Sequence, residues 1–219
     1  AYASKNKYIK EKIKEALDLE EETIIIDWLR AELKSLKKSN NSKFPITNNT
    51  STIYQIKASD VNTKGDDGAT LLHLAAQEGD LGAIRALLAK GANLEAINKD
   101  GRTPLHSAAK EGQLSAIRAL IDKGANVEAK DNMHWTPLHW AALYGYEAIA
   151  RALLITKANI EIKDNIGWTP LHLAALYGQE AVIHTLLSKS ANIEAKDNDS
   201  FTPLHLAAKE GHTAVIQAL

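Results

Sequence analysis

The chain has no cysteine. That removes disulfides, thiolate metal sites and a thiol nucleophile together. It has almost no charge imbalance: 26 Lys and Arg stand against 27 Asp and Glu, for a net charge of -1. Nothing electrostatic therefore points to nucleic acid or an anionic membrane as the main partner. It has no apolar run near the roughly 20 residues that a membrane span needs. The densest stretch, Ile24-Ile25-Ile26, lies between Glu22 and Asp27. Residues 1–20 carry lysines throughout and no apolar block, so they do not read as a secretory signal. Catalytic signatures are missing as well: no phosphate loop of the Gly-x-x-x-x-Gly-Lys type, no dinucleotide fingerprint and no Gly-x-Ser-x-Gly elbow. The expectation is a chain that is not an enzyme and uses no cofactor or metal.

What the chain does contain is an internal repeat, which decides the fold before any local reading does. Thr103-Pro104-Leu105-His106 recurs as Thr136-Pro137-Leu138-His139, Thr169-Pro170-Leu171-His172 and Thr202-Pro203-Leu204-His205, each step being 33 residues. One period upstream, Thr70-Leu71-Leu72-His73 lacks the proline. An Ala-Ala pair follows each His, and a glycine closes each segment at Gly79, Gly112, Gly145, Gly178 and Gly211. The threonine can cap a helix, and a first-turn proline there costs nothing. The small alanines let a second helix approach closely. Leu114, Ile117, Leu120 and Ile121 have the 3–4 spacing of an amphipathic second helix. Lys130-Asp131-Asn132 marks the turn that leads to the next unit.

The pattern Asp-x-x-Gly-x-Thr-Pro-Leu-His-x-Ala-Ala-x-x-Gly at a 33-residue period resembles the ankyrin repeat over about residues 58–219. The resemblance implies an all-α solenoid of five L-shaped units, the last one truncated. Each unit has a β-hairpin finger and two antiparallel helices, and fingers and inner helices line a concave groove. It also implies that the repeated histidines are structural, bridging backbone and Thr hydroxyl between neighbours. The sequence departs from the pattern where His134 and Ser200 replace the finger glycine, and where Lys157 and Ser190 replace the glycine after the outer helix. Those replacements cost stability but do not challenge the fold.

The ends are less regular. Residues 1–38 interleave charges of both signs, and Ile26, Leu29, Leu33 and Leu36 follow helical 3–4 spacing. Tyr8, Ile9, Ile13, Ala16 and Leu17 suggest an earlier helix, so the segment is a helical hairpin or one long helix. It reads as a cap on the first repeat, or alternatively as a separate docking or dimerising helix. Residues 39–57 are rich in Ser, Asn and Thr and read as a linker or a decayed repeat. The chain opens on Ala1 rather than Met and stops at Leu219 inside an outer helix, so a piece of a longer chain is expected.

The surface carries the functional signal. In the first, second and fifth repeats the residues before the inner-helix glycine are Gln77-Glu78, Lys110-Glu111 and Lys209-Glu210. In the third and fourth they become Leu143-Tyr144 and Leu176-Tyr177. The fingers change in the same repeats, to Met133 and Trp135 and to Ile166 and Trp168. Trp140, Tyr146 and Phe201 extend the run. These residues read either as packing between fingers and core or as an exposed apolar patch rimmed by charge, the mark of a protein interface. The leading expectation is a non-enzymatic scaffold that binds a protein or peptide in the groove, centred on repeats 3 and 4. The alternative is the targeting module of a larger enzyme or effector whose catalytic domain lies outside this piece. The Lys, Asn and Ile bias resembles that of ankyrin proteins of host-associated bacteria, which implies an intracellular place of action, in the cytosol or nucleus of a host cell. If residues 1–38 cap the first repeat, deleting them should lower the melting temperature or cause aggregation. An unchanged melting curve and solubility would instead identify a detached docking helix.

Overall fold

Thr70, Thr103, Thr136, Thr169 and Thr202 each sit in extended backbone and open a helix through a reciprocal cap. The threonine side chain accepts from the backbone N–H of the histidine three residues on, and that histidine's ring accepts from the threonine N–H. The inner helices that result are α1 Leu71–Glu78, α3 Pro104–Lys110, α5 Pro137–Tyr144, α7 Pro170–Leu176 and α9 Pro203–Glu210. The outer helices are α2 Leu81–Ala89, α4 Leu114–Asp122, α6 Glu147–Ile155, α8 Glu180–Leu187 and α10 Thr213–Ala218. This computed structural model describes residues 60–219, which lie within the compact unit Thr47–Leu219. The expected N-terminal helices at 1–38 and the linker at 39–57 fall outside the described residues.

Inner helices pack on inner helices and outer on outer, so each unit touches its neighbours in sequence. The alanine pairs make this possible: Ala108, Ala109, Ala141, Ala142, Ala174 and Ala175 are fully buried, with only a methyl group between one helix and the next. Ile84 and Leu87, Ile117 and Leu120, and Ile149 and Leu153 point inward from the outer helices and are fully buried too. The fold is the expected all-helical repeat solenoid.

The fingers are narrower than the expected β-hairpins, and no regular strand is present among the described residues. Each finger is a tight turn closed by a backbone bond, as from Asp131 N–H to the Trp135 carbonyl at 2.9 Å and from Asp164 N–H to the Trp168 carbonyl at 3.0 Å. Five residues per finger leave no length for a ladder within it. The fingers instead bond to one another, as from Asn132 N–H to the Asp100 carbonyl at 2.9 Å.

His134, Lys157, Ser190 and Ser200 adopt φ of 62° to 69°, the left-handed backbone where other repeats have glycine. At His134 the consequence is visible. A Cβ at the equivalent Gly101 would lie 2.9 Å from the Asn132 nitrogen of the next finger. With a real Cβ at His134 the next finger stands further off, and the Asn165 N–H bond to the Met133 carbonyl lengthens to 3.3 Å. At Gly91 and Gly124, the counterparts of Lys157 and Ser190, an added Cβ would meet nothing within 4 Å. Only the backbone angle is at issue there. Lys157→Gly and Ser190→Gly should therefore each raise stability, by about 1 kcal/mol. Urea denaturation checks this, and unchanged or lowered midpoints would refute it.

Candidate partner-binding face

The face made by fingers and inner helices is held by hydrogen-bonded ladders that run from repeat to repeat. The first uses the histidines. Thr103 N–H points at His106 Nδ1 at 3.1 Å, so that nitrogen carries no hydrogen and the ring proton sits on Nε2. Nε2–H then donates to the Trp135 carbonyl at 3.0 Å, in the finger of the next repeat. The same bond runs from His73 to the Arg102 carbonyl at 2.9 Å and from His139 to the Trp168 carbonyl at 3.2 Å. It recurs from His172 to the Phe201 carbonyl at 3.2 Å. Burial lowers the pKa of His106 to about 4 and of His139 to about 3, and it lowers His73 and His172 as well. All four are neutral donors at neutral pH.

A second ladder uses the residue before Thr-Pro in repeats 2 to 4. Trp135 Nε1–H donates to Asp164 Oδ2 at 2.8 Å, and Trp168 Nε1–H to Asp197 Oδ2 at 2.9 Å. The other oxygen of Asp164 accepts from the N–H groups of Ile166 and Trp168 at 3.0 and 2.8 Å. Burial nevertheless raises the pKa of Asp131 and Asp164 above the ordinary carboxylate value. One repeat earlier Arg102 takes the tryptophan's place, its Nε lying 3.8 Å from Asp131 Oδ2.

This geometry sorts the candidate site residues. Trp135 and Trp168 retain only 3% and 8% exposure, Leu143 retains 6%, and Trp140 none. Trp140 is clamped: its Nε1–H donates to Asp131 Oδ2 at 3.2 Å, and the Arg102 guanidinium covers its ring at 4.4 Å. The ring of Trp135 meets it edge-on at 5.0 Å between centroids. Met133, Tyr144, Tyr146, Ile166, Leu176 and Tyr177 are half-buried, and Phe201 is 47% exposed. Tyr144 stacks on Trp140 at 6.0 Å, and Tyr146 follows Tyr144 at 5.8 Å. The structure thus joins Trp135, Trp140, Tyr144 and Tyr146 into one run of rings, its inner members buried and its outer members open to solvent.

A family model described as ankyrin repeats matches residues 46–131, 98–164, 130–197 and 157–219. The chain belongs to the ankyrin-repeat family. No curated protein matches it. Ankyrin repeats are generally protein–protein interaction modules and typically non-catalytic. Among the described residues no helix is long and apolar enough to cross a membrane.

Three recurring kinds of contact between ankyrin repeats escaped sequence reasoning. Gln113 Nε2–H donates to the Gln77 carbonyl at 3.0 Å, Gln179 Nε2–H donates to the Leu143 carbonyl at 3.0 Å, and His212 Nε2 meets the Leu176 carbonyl at 2.9 Å. Each of these side chains lies across the preceding repeat's glycine, where Tyr146 covers Gly112. Glu95, Glu128 and Glu161 accept from the backbone N–H of Asn126, Asn159 and Asn192 at 2.8, 2.6 and 2.7 Å. Asn132, Asn165 and Asn198 donate from Nδ2 to the carbonyl of the finger before at 2.9 to 3.3 Å. A period of 33 in long polar side chains was the available signal.

His139→Ala strands the Trp168 carbonyl and should lower stability by about 1–3 kcal/mol. Acid should act on the whole ladder. The unfolded histidines titrate near 6.5 and the folded ones lower, so the unfolded state binds more protons below pH 6.5. Stability is complete above that pH and is lost as pH falls toward about 4, where His106 itself protonates. Asp131 and Asp164, whose folded pKa values are raised, oppose this as pH falls through those values toward 3.8. The unfolding free energy should thus fall between pH 6.5 and 5, each buried ring contributing up to about 1.4 kcal/mol per pH unit. A flat profile across that window would overturn the assignment of neutral donors.

Proposed function

We propose that the groove of fingers and inner helices binds a protein or peptide partner, centred on repeats 3 and 4. One observation carries the reading: the polar pair before the inner-helix glycine becomes Leu-Tyr in these two adjacent repeats, and the tyrosines remain partly open. The contact surface is Met133 and Ile166 at the finger tips with Tyr144, Tyr146, Leu176 and Tyr177 on the inner-helix side. Phe201 extends it into repeat 5. Trp135, Trp140, Leu143 and Trp168 are buried, and Trp140 stacks on Tyr144.

Tyrosine suits this position, because its rigid ring supplies apolar area and its hydroxyl a hydrogen bond at small entropic cost. Rings already packed by Trp140 lose little freedom when a partner arrives. Gln77-Glu78, Lys110-Glu111 and Lys209-Glu210 form a polar rim on either side.

The partner is to be captured from cell extract on the full chain, identified by mass spectrometry and titrated against variants. Tyr144→Ala and Tyr177→Ala should each weaken binding about tenfold or more while melting stays unchanged. If melting falls and the folded fraction binds normally, the rings are packing and the reading fails.

A further inference from the structure

The outer helices carry a second pattern, on the face away from the fingers. Arg85, Arg118, Arg151 and His184 occupy one position of the 33-residue period, in α2, α4, α6 and α8. All four side chains are exposed. Four residues before each lies a first-turn residue, and here the repeats divide. In α6 and α8 it is Glu147 and Glu180. Arg151 pairs with Glu147, and His184 Nε2 lies 3.7 Å from Glu180. In α2 and α4 the same position holds Leu81 and Leu114. Among the described residues no carboxylate pairs with Arg85 or Arg118, and neither makes a side-chain hydrogen bond.

One substitution at a repeated position thus does two things at once. It removes the acid that neutralises the arginine elsewhere, and it adds an apolar side chain beside it. Between α2 and α4 these effects build a groove. Leu81, Leu88 and Ala119 line it over the fully buried Ile84, and Arg85 and Arg118 stand on it. Lys123 and Asp122 close one end, leaving three cations against one carboxylate.

We propose that this groove docks an acidic amphipathic helix of a partner protein, with carboxylates set against Arg85 and Arg118 and leucine-like side chains against Leu81, Leu88 and Ala119. The spacing fits. Neighbouring packed helices lie about 8–10 Å apart. Carboxylates seven residues apart on a helix are separated by about 10 Å, with apolar residues three and four positions along between them. A phosphate backbone would satisfy the arginines but would bring nothing for the apolar floor. The site lies on the opposite side of the repeats from the tyrosine groove, so either can fail alone.

The test uses the full chain and a fluorescein-labelled helical peptide of about 18 residues, long enough to hold helix. The peptide carries Glu at two positions seven apart and Leu between them, on an Ala-rich background. Fluorescence anisotropy should show saturable binding. Arg85→Glu with Arg118→Glu should weaken it about tenfold or more, with circular dichroism and melting unchanged. Leu81→Glu restores the pairing acid that α6 and α8 possess, and should weaken binding about threefold or more by occupying Arg85 internally. Against the unaltered protein, replacing the two peptide Glu by Gln should cost as much as the charge reversal. The proposal falls if the peptide does not saturate, if the charge reversal leaves affinity unchanged, or if Glu→Gln in the peptide has no effect. It falls equally if a leucine-free acidic peptide or oligothymidylate binds as tightly, which would reduce the groove to counter-charge.

Discussion

Each imidazole that joins a helix start to the next finger carries a constraint that the other contacts inherit. It accepts at Nδ1 from the threonine that caps its own helix and donates at Nε2 to a carbonyl of the next repeat. One neutral ring therefore fixes where a helix begins and where the following finger lies. No single repeat can bury its apolar side alone, so register between neighbours is what the fold must specify. Only the neutral ring can do this: a protonated one would offer Nδ1–H to the threonine N–H and clash donor against donor. Deep burial and the position of the bond thus demand the same protonation state.

With register fixed there, other positions are free to vary in chemistry while keeping geometry. The residue before Thr-Pro is Arg102 in one repeat and Trp135 and Trp168 in the next two, yet all reach the aspartate of the following finger. The indoles hydrogen-bond at 2.8 and 2.9 Å, whereas the guanidinium meets its carboxylate as an ion pair at 3.8 Å. The residue after the inner-helix glycine is Gln113, Gln179 or His212, and each reaches a carbonyl of the preceding repeat. Such tolerance separates the parts that hold the stack from the parts that can answer to a partner. Tyr144 and Tyr177 stand where other repeats carry Glu78 and Glu111, so this position changes character from repeat to repeat.

The fold was readable because the period places identical residues at identical environments, and coincidence cannot sustain that over five units. The structural histidines followed from the same argument. The candidate site was readable only in part. The alternation of charged and aromatic residues marked repeats 3 and 4, but the sequence could not say which rings were covered. For Trp135 and Trp168 the answer lay in an aspartate one repeat away, and a finger turn brings the two together. For Trp140 it lay in Arg102 and Asp131, which only the stacking of two repeats sets on either side of the ring. A contact made between repeats leaves its partners 29 to 36 residues apart in the chain. Periodicity reveals that something recurs there, not what it touches.

The two faces then differ for a physical reason. On the finger side, neutral histidines and buried aspartates fix one repeat against the next, and variation goes toward aromatic rings that can be both supported and exposed. On the outer side Arg151 finds its acid within its own helix, although Glu147 also accepts from Thr185 of the next repeat at 3.4 Å. Where the first-turn residue is Glu147, the arginine's charge, here that of Arg151, is answered within one helix turn. Where it is Leu81 or Leu114 it is not, and the leucine adds apolar surface at the spot where a counter-charge is missing. An exposed arginine alone costs nothing, since water solvates it well. An arginine beside apolar surface is different, because a partner that covers the leucine also strips water from the cation and must supply the carboxylate in its place. The same leucine that leaves the charge unanswered therefore makes the answer specific: a partner needs both the acid and the apolar side chain, at one spacing, to gain from binding there.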